Sequence, residues 1–502
     1  MDEDRAGRVE QQPNVVLIVA DQWRGDALSC AGHPVVRTPI LDELAARGVR
    51  FDRAYSATPT CLPARAALMT GQSQESHGLV GYVEGIDFPR AHPVTMPGVF
   101  RDAGYQTHAI GKMHIWPERA RIGFDDVQLH DGFLHYARRE YRGVLEPVDD
   151  YVHWLRRQPG VSPDEEYFDH GAGCNSIVTR PWDKAERLHP TNWVTTTAGR
   201  FLERRDPTRP FFLYLSYHRP HPPYDPPAWA LEQFLAADEQ PTLHGDWNGV
   251  WDANRADGGH QASLATMPAD MIRRARAGYY GAMAHVDQQI GRFLELLEQS
   301  GEAENTIVVF TSDHGEMLGD HDIYRKAVPY EGSARVPLIV ADAPTRASVR
   351  REVSAELAEL RDVMPTLLEL AGVDVPASVD GRSLAPVVSG ADAAVEPRAW
   401  LHGEHVYWGQ SLHWVTDGTH KYIWGSGEGV EQLFDLAADP GEAHDLVGAR
   451  SAPDVLERCR AALVDALRDR PEGFVVDGAL QSGRPVTAIL PILRERLADA
   501  EH

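Results

Sequence analysis

Four short apolar runs, each passing straight into polar or ionisable residues, constrain the fold of this chain more than any other feature. Asn14-Val15-Val16-Leu17-Ile18-Val19-Ala20 leads into Asp21-Gln22, and Gly104-Tyr105-Gln106-Thr107-His108-Ala109-Ile110 leads into Gly111-Lys112-Met113-His114. Pro210-Phe211-Phe212-Leu213-Tyr214-Leu215-Ser216 leads into Tyr217-His218-Arg219-Pro220-His221, and Thr306-Ile307-Val308-Val309-Phe310-Thr311 into Ser312-Asp313-His314-Gly315-Glu316. Runs with no polar face read as strands of a parallel sheet covered on both sides. Ligands of open parallel sheets bind beyond the carboxyl ends of the strands, so four such endings predict one shared site.

The intervening segments read as helices, giving an α/β alternation. Thr38-Pro39 starts one that Gly48 ends, and Pro365 opens a short one that stops at Gly372. Ala275, Tyr279, Met283, Val286, Ile290, Phe293 and Leu297 recur at helical spacing and predict a long helix over 271–297. Residues 130–190, with Arg138-Arg139-Glu140-Tyr141-Arg142, carry no clear period, and 222–262 read as long loops over the site. Trp154, Trp182, Trp193, Trp229, Trp247 and Trp251 are candidates to line a pocket for a ring or a sugar, against the plainer reading of packing.

Near residue 395 the small, polar stretch Ser389-Gly390-Ala391-Asp392-Ala393-Ala394 marks a boundary. We therefore read a large domain over 1–395 and a small α+β domain with its tail over 396–502. In the small domain an antiparallel hairpin turns about Asp417-Gly418, and a helix runs from Val455 to Leu467. From Phe474 onward the tail is apolar enough to dock, and another subunit is one place for it, which would make a homo-oligomer.

A net charge of −25 argues against a nucleic-acid partner, which needs a basic face. No apolar run approaches membrane-spanning length, and the acidic start Met1-Asp2-Glu3-Asp4-Arg5 lacks the regions of a signal peptide, so no membrane and a cytoplasmic location are expected. Four scattered cysteines fit neither a disulfide framework nor a zinc spacing, and Cys30, Cys174 and Cys459 read as packing residues.

Cys61 stands apart, in Ala57-Thr58-Pro59-Thr60-Cys61-Leu62-Pro63-Ala64-Arg65-Ala66-Ala67-Leu68-Met69-Thr70-Gly71. Pro63 suits a first helical turn, so the thiol sits at a helix N-terminus facing free backbone N–H groups. Such a place is expected to lower a thiol pKa and to attract anions. A cysteine nucleophile and a buried structural cysteine are both compatible with this.

The spacing Cys61-x-Pro63-x-Arg65, closed by Leu68-Met69-Thr70-Gly71, resembles the signature of the sulfatase family, with Leu62 where the family usually has a small residue. Gly104-Tyr105-x-Thr107-x-x-Ile110-Gly111-Lys112-Met113-His114 resembles the family's second signature. The resemblance implies an alkaline phosphatase-like domain with a mainly parallel central sheet flanked by helices, followed by a small domain with an antiparallel sheet. It implies that Cys61 is oxidised to formylglycine by a formylglycine-generating enzyme, and that the hydrated aldehyde attacks the sulfur of a small anionic ester. Lys112 would contact sulfate and orient the diol, and His114 would take the proton when sulfate is expelled. His221 and Lys326 would bind the transferred group, either one protonating the leaving oxygen; His218 and Arg325 are their neighbours and competitors. Arg65 would steady the diol.

Asp21, Gln22, Asp313 and His314, beside the Cys61-derived group, offer oxygen donors and one imidazole at two strand ends, a set suited to one divalent cation. The corresponding positions in sulfatases bind such a metal. The pairs Asp21-Gln22 and Asp313-His314 look most like the phosphonate monoester hydrolases and choline sulfatases of the family, and they move the expectation from calcium alone to calcium or manganese. A sulfuric ester hydrolase is the leading reading. A phosphonate monoester or phosphodiester hydrolase, an enzyme doing both, or a silent scaffold that keeps Cys61 as a thiol are the alternatives.

Overall fold

The structure is a computed structural model. It describes residues 12–132, 148–163, 165, 173–237, 241–256, 259–346, 352–390 and 396–499. The acidic N-terminus, the Arg138 to Arg142 cluster and residues 391–394 of the boundary stretch lie outside the described residues.

Among the described residues the central sheet has eight strands: β1 (Asn14–Asp21), β2 (Val49–Tyr55), β3 (Gln106–Gly111), β4 (Asp126–Leu129), β5 (Phe211–Pro220), β6 (Thr306–Ser312), β7 (Leu338–Ala341) and β8 (Glu352–Glu359). Their order is β4-β3-β5-β1-β6-β7-β2-β8, and β7 alone runs antiparallel to its neighbours. The four runs that the sequence singles out are therefore the contiguous block β3-β5-β1-β6. Register carries their ends to one level, with Gly111 opposite Ser216 and Ala20 opposite both Tyr217 and Ser312.

Alternation along β1 feeds two separate cores. Val16, Ile18 and Ala20 join a cluster with Met283, Val286, Ile290 and Phe293 of the long helix Ala269–Gln299, which is the expected helix extended at both ends. Val15, Leu17 and Val19 face the other layer, where Ala64, Ala66, Leu68 and Met69 of the helix Cys61–Thr70 are buried. The Cys61 helix thus packs on the sheet by its body, leaving its N-terminus at the strand ends.

The second sheet is antiparallel, with β9 (Leu401–Tyr407), β10 (Gln410–Thr416), β11 (His420–Gly425) and β12 (Val430–Asp435) in the order β12-β11-β10-β9. The hairpin turns at Asp417-Gly418, and Gly418 has the positive φ of 83° that such a turn requires of glycine. One face is covered by the helix Pro453–Leu467 through Cys459, Leu463 and Leu467. The other face, with Trp414, Ile423 and Phe434, packs on Trp247, Trp251 and Tyr330 of the large layer. The peptide N–H of Glu404 donates to Ala57 and that of Val406 to Val80, so β9 also lies hydrogen-bonded along the segments flanking Cys61.

The tail docks on its own chain: Leu490 donates to Gly78, Val80 to Ala488, and Leu493 is fully buried, while Val476 and Ile492 stay exposed. One expectation is corrected here. The segment 222–262 is more than loop, since Ala228–Leu235 is a helix that packs on the long one. No described helix is long and apolar enough to cross a membrane.

Gly111 closes β3 at φ 97°, and a Cβ built there would lie 1.9 Å from the Ser216 carbonyl oxygen. Gly111→Ala is expected to destabilise the fold by about 3 kcal/mol, the size typical of strain compounded by a backbone clash. Urea denaturation followed by circular dichroism measures it.

Candidate active site

The four strand ends and the Cys61 helix converge on a cavity of about 490 Å³. Cys61, Lys112, His114, His218, His221 and Lys326 line it, so the expected residues of two strand ends, one helix start and one late loop meet in one place. Asp21, Asp313 and His314 lie fully buried beneath its floor.

Cys61 Sγ lies 3.1 Å from His314 Nε2, 3.5 Å from Lys112 Nζ and 3.8 Å from Asp21 Oδ1. His314 Nδ1 lies 2.9 Å from the Gly315 carbonyl oxygen; that contact places its proton on Nδ1 and turns the Nε2 lone pair toward the site. Burial holds the His314 pKa down at about 4, so the ring is neutral across the physiological range. Donor atoms of Asp21, Cys61, Asp313 and His314 all lie within 4.8 Å of one another. Two carboxylates and a neutral imidazole at that spacing fit a divalent cation.

Gln22 belongs to the rim of this cluster. Its Oε1 accepts from Lys326 Nζ at 2.6 Å, its Nε2 donates to Glu316, and its peptide N–H donates to Asp313 Oδ1 at 3.1 Å. The last contact needs the left-handed φ of 69° at Gln22. His114, Arg325 and Ala327 are also non-glycine residues with positive φ beside the cavity, and strained backbone of this kind concentrates at functional sites. Asp131 Oδ1 accepts from the peptide N–H groups of Met113 and His114 and fixes the loop after β3.

Arg65 is engaged by fixed protein groups beside the nucleophile. Its guanidinium donates to Asp313 Oδ2 at 2.9 Å, to the Lys112 carbonyl at 2.9 Å, to Tyr214 Oη at 2.7 Å and to Ser216 Oγ at 3.1 Å. It is a positioning residue, tying one carboxylate of the cluster to β3 and β5. Lys112 forms a short ion pair with Asp21. Burial works against the Asp21 carboxylate, but Lys112, Arg65, His314 and Lys326 together hold its pKa below the usual carboxylate range.

The thiol itself departs from expectation. Burial, and after it the Asp21 carboxylate, push the Cys61 pKa up despite the helix terminus and Lys112. A group in this position gains no thiolate character from its surroundings. Cys174, read from the sequence as a packing residue, instead lines the cavity, as do Tyr82, Glu84, His405 and Tyr407. None of the six candidate tryptophans does, because Trp247 and Trp251 are spent on the C-terminal sheet and Trp182 and Trp193 on the core.

Lys326 is within 2.9 Å of His221 Nε2, and His221 Nδ1 is 2.8 Å from the Pro222 carbonyl oxygen. Nδ1 therefore carries the ring proton and Nε2 accepts from the ammonium. Burial first, then Lys326 and Lys112, keep the His221 pKa well below its ordinary value. His218 also lines the cavity, with its Nδ1 turned to Arg219 at 2.6 Å.

A sulfatase profile matches residues 13–373, which is most of the chain, and a profile for the C-terminal part of N-sulphoglucosamine sulphohydrolase matches 319–469. The chain belongs to the sulfatase family. It is 41% identical to an arylsulfatase of Clostridium perfringens over 95% of this chain and 99% of that one. It is 30% identical to a multifunctional alkaline phosphatase superfamily protein of Trinickia caryophylli, covering 87% of this chain and 91% of that one. Among solved structures, a phosphonate monoester hydrolase of Agrobacterium radiobacter superposes with a TM-score of 0.71 at 26% identity, covering 91% of this chain and 95% of the other.

Residues that sequence reasoning left without a role can now be placed in this sulfatase. Glu316 follows Asp313-His314-Gly315 in the sequence, where nothing local shows that it receives the Gln22 amide. His405 lies far along the chain on β9, and its Nε2 pairs with Thr60 Oγ1 at 2.8 Å, one residue before Cys61. No local pattern marks His405; only the docking of the second sheet brings it in.

Arg65→Lys keeps the charge and loses the fork. The expected result is a fall in kcat of about tenfold to a hundredfold, equivalent to about 1.4–2.7 kcal/mol, with KM little changed because Arg65 touches Asp313 and not the cavity. Steady-state kinetics on the folded variant check this. A second expectation concerns acid. Burial lowers the pKa of His314 to about 4 and of His77, His92 and His405 to about 3, all from 6.5. The native state then binds fewer protons than the unfolded chain below pH 6.5, so stability falls as pH drops from 6.5 toward 3. Thermal melts across that range should show Tm declining throughout it.

Proposed function

We propose that this sulfuric ester hydrolase acts on aryl sulfates, with Cys61 oxidised to formylglycine as the nucleophile and one divalent metal ion, calcium or manganese, held by Asp21, Asp313 and His314 with Gln22 at the rim. The observation that carries the reading is the placement of Cys61: a helix N-terminus at the floor of a cavity, 3.1 Å from a neutral His314 and 3.5 Å from the Lys112 ammonium. The raised thiol pKa argues against a thiolate nucleophile at that point. The likeness to the Clostridium perfringens arylsulfatase supports the aryl alcohol.

A sulfate ester resists attack because its oxygens repel the nucleophile and its leaving oxygen needs charge relief, so the site must supply cations. A divalent ion, when bound, adds positive charge beside a substrate oxygen. Lys112 lies next to the nucleophile and orients it. Lys326 arrives carrying the proton: His221 is neutral and accepts at Nε2, so the ammonium is the acid for the leaving oxygen and His221 holds it in place. His114, which lines the same cavity, is the base for the step that frees sulfate.

Resemblance to the phosphonate monoester hydrolase fold and the pairs Asp21-Gln22 and Asp313-His314 support a second reading, in which phosphorus esters are also cleaved. Two measurements test the proposal. The tryptic peptide containing Cys61, from a host that makes formylglycine, is expected to carry the aldehyde mass; an unmodified thiol in an active enzyme overturns the nucleophile. Values of kcat/KM for an aryl sulfate, an aryl phosphonate monoester and a phosphodiester are expected to favour the sulfate by about tenfold or more, a difference of about 1.4 kcal/mol in transition-state binding. A preference for either phosphorus ester overturns the substrate class.

A further inference from the structure

A second cluster of metal-ligating side chains lies outside the cavity, in the seam between the C-terminal sheet and the segment that follows the Cys61 helix. We propose that His402, Glu404 and His413 form a structural site for one divalent transition-metal ion of the zinc class, pinning the second sheet to the segments flanking Cys61.

The three residues share one face of two paired strands. His402 and Glu404 alternate on β9, and His413 of β10 stands directly opposite Glu404. His402 Nε2 is 3.4 Å from His413 Nδ1, and His413 Nδ1 is 3.7 Å from Glu404 Oε2. All three donor atoms lie within 4.8 Å of one another. A tetrahedral zinc ion with bonds of about 2.0–2.2 Å holds its donors about 3.3–3.6 Å apart, so the two imidazole nitrogens stand at that spacing and the carboxylate oxygen a little beyond it.

The outer contacts orient the donors inward. His402 Nδ1 is 2.8 Å from Glu75 Oε1, an arrangement that places the ring proton on Nδ1 and leaves the Nε2 lone pair for the cluster. Arg470 pairs with Glu404 Oε1, leaving Oε2 to the cluster. Glu404 is fully buried, yet its Oε2 accepts no hydrogen bond. Burying a carboxylate edge without a donor is costly, and a cation between Oε2 and the two ring nitrogens removes the cost. Two imidazoles and one carboxylate select zinc-like ions over calcium or magnesium, and water completes the fourth position.

The site would act on architecture. Glu404 donates its peptide N–H to Ala57, His405 pairs with Thr60, and Glu75 belongs to the short helix Gln74–His77 that follows the Cys61 helix. An ion on β9 and β10 therefore fixes both sides of the Cys61 segment through backbone and second-layer contacts.

The test uses the full chain, stripped with a chelator and dialysed against zinc. Wild type is expected to retain one more zinc per chain than Glu404→Gln or His413→Gln, and zinc is expected to raise Tm in wild type and not in those variants. Equal zinc content in wild type and both variants overturns the proposal. His402→Gln alters the one proposed ligand that is not fully buried, so it serves if either variant fails to fold. That protein is expected to lose the extra zinc and its effect on Tm, and zinc content equal to wild type overturns the proposal. Neither readout uses catalytic turnover, so the outcome is separate from that of the substrate measurements.

Discussion

Two ion pairs with almost no access to water, Lys112 with Asp21 and Arg65 with Asp313, set the terms for everything at the ends of the central strands. Taking a charge out of water costs several kcal/mol per ion, and a pair offsets that cost only when geometry is close and the remaining donors are satisfied. The fold meets the first condition and most of the second. Arg65 has four separate acceptors on three elements, and Asp313 receives the peptide N–H groups of Gln22 and His314 on its other oxygen. Removing any one partner would strand another in a dry site. These carboxylates cannot drift, and a cluster that must meet a cation and an anionic ester needs that rigidity more than it needs net stability.

The sheet makes the convergence possible. Adjacent parallel strands in register end at one level, so the residues just past Gly111, Ala20, Ser216 and Ser312 meet without long excursions. Glycine at 111 lets β3 approach the Ser216 carbonyl more closely than any side chain permits, which brings Lys112 under the Cys61 helix. That helix contributes through its terminus alone, because its body is committed to the core.

This division explains what was legible in the sequence. Strand ends are local: an apolar run followed by Asp21, Lys112, His221 or Asp313 shows both the strand and the place where it stops, and the four runs proved to be neighbours. The long helix and the Asp417-Gly418 turn are local in the same way. Properties that arise from burial or docking were not legible. The Cys61 pKa turned upward because desolvation outweighs a helix terminus, and sequence conveys the terminus but not the depth. The resemblance pointed Arg65 at the diol, and nothing local showed that Asp313, 248 residues away, would pair with it. The tryptophans of 222–262 composed a plausible pocket until the second sheet supplied an apolar face for Trp247 and Trp251.

The second sheet is more than an appendage. Its apolar face closes over Trp247, Trp251 and Tyr330, its edge strand β9 donates backbone hydrogen bonds to Ala57 and Val80, and the tail beyond it returns to Gly78 and Val80. The residues flanking the nucleophile are thus held from the large layer on one side and from β9 and the tail on the other. His405, Val406 and Tyr407 follow Glu404 directly and line the cavity, so any change in the seat of β9 moves the cavity wall and the partner of Thr60 together. A hydrolase that must exclude water from a charged floor while admitting an ester gains from walls built of two sheets. Local opening of either one then exposes the floor, so the integrity of the site depends on how firmly β9 and β10 are joined to the rest.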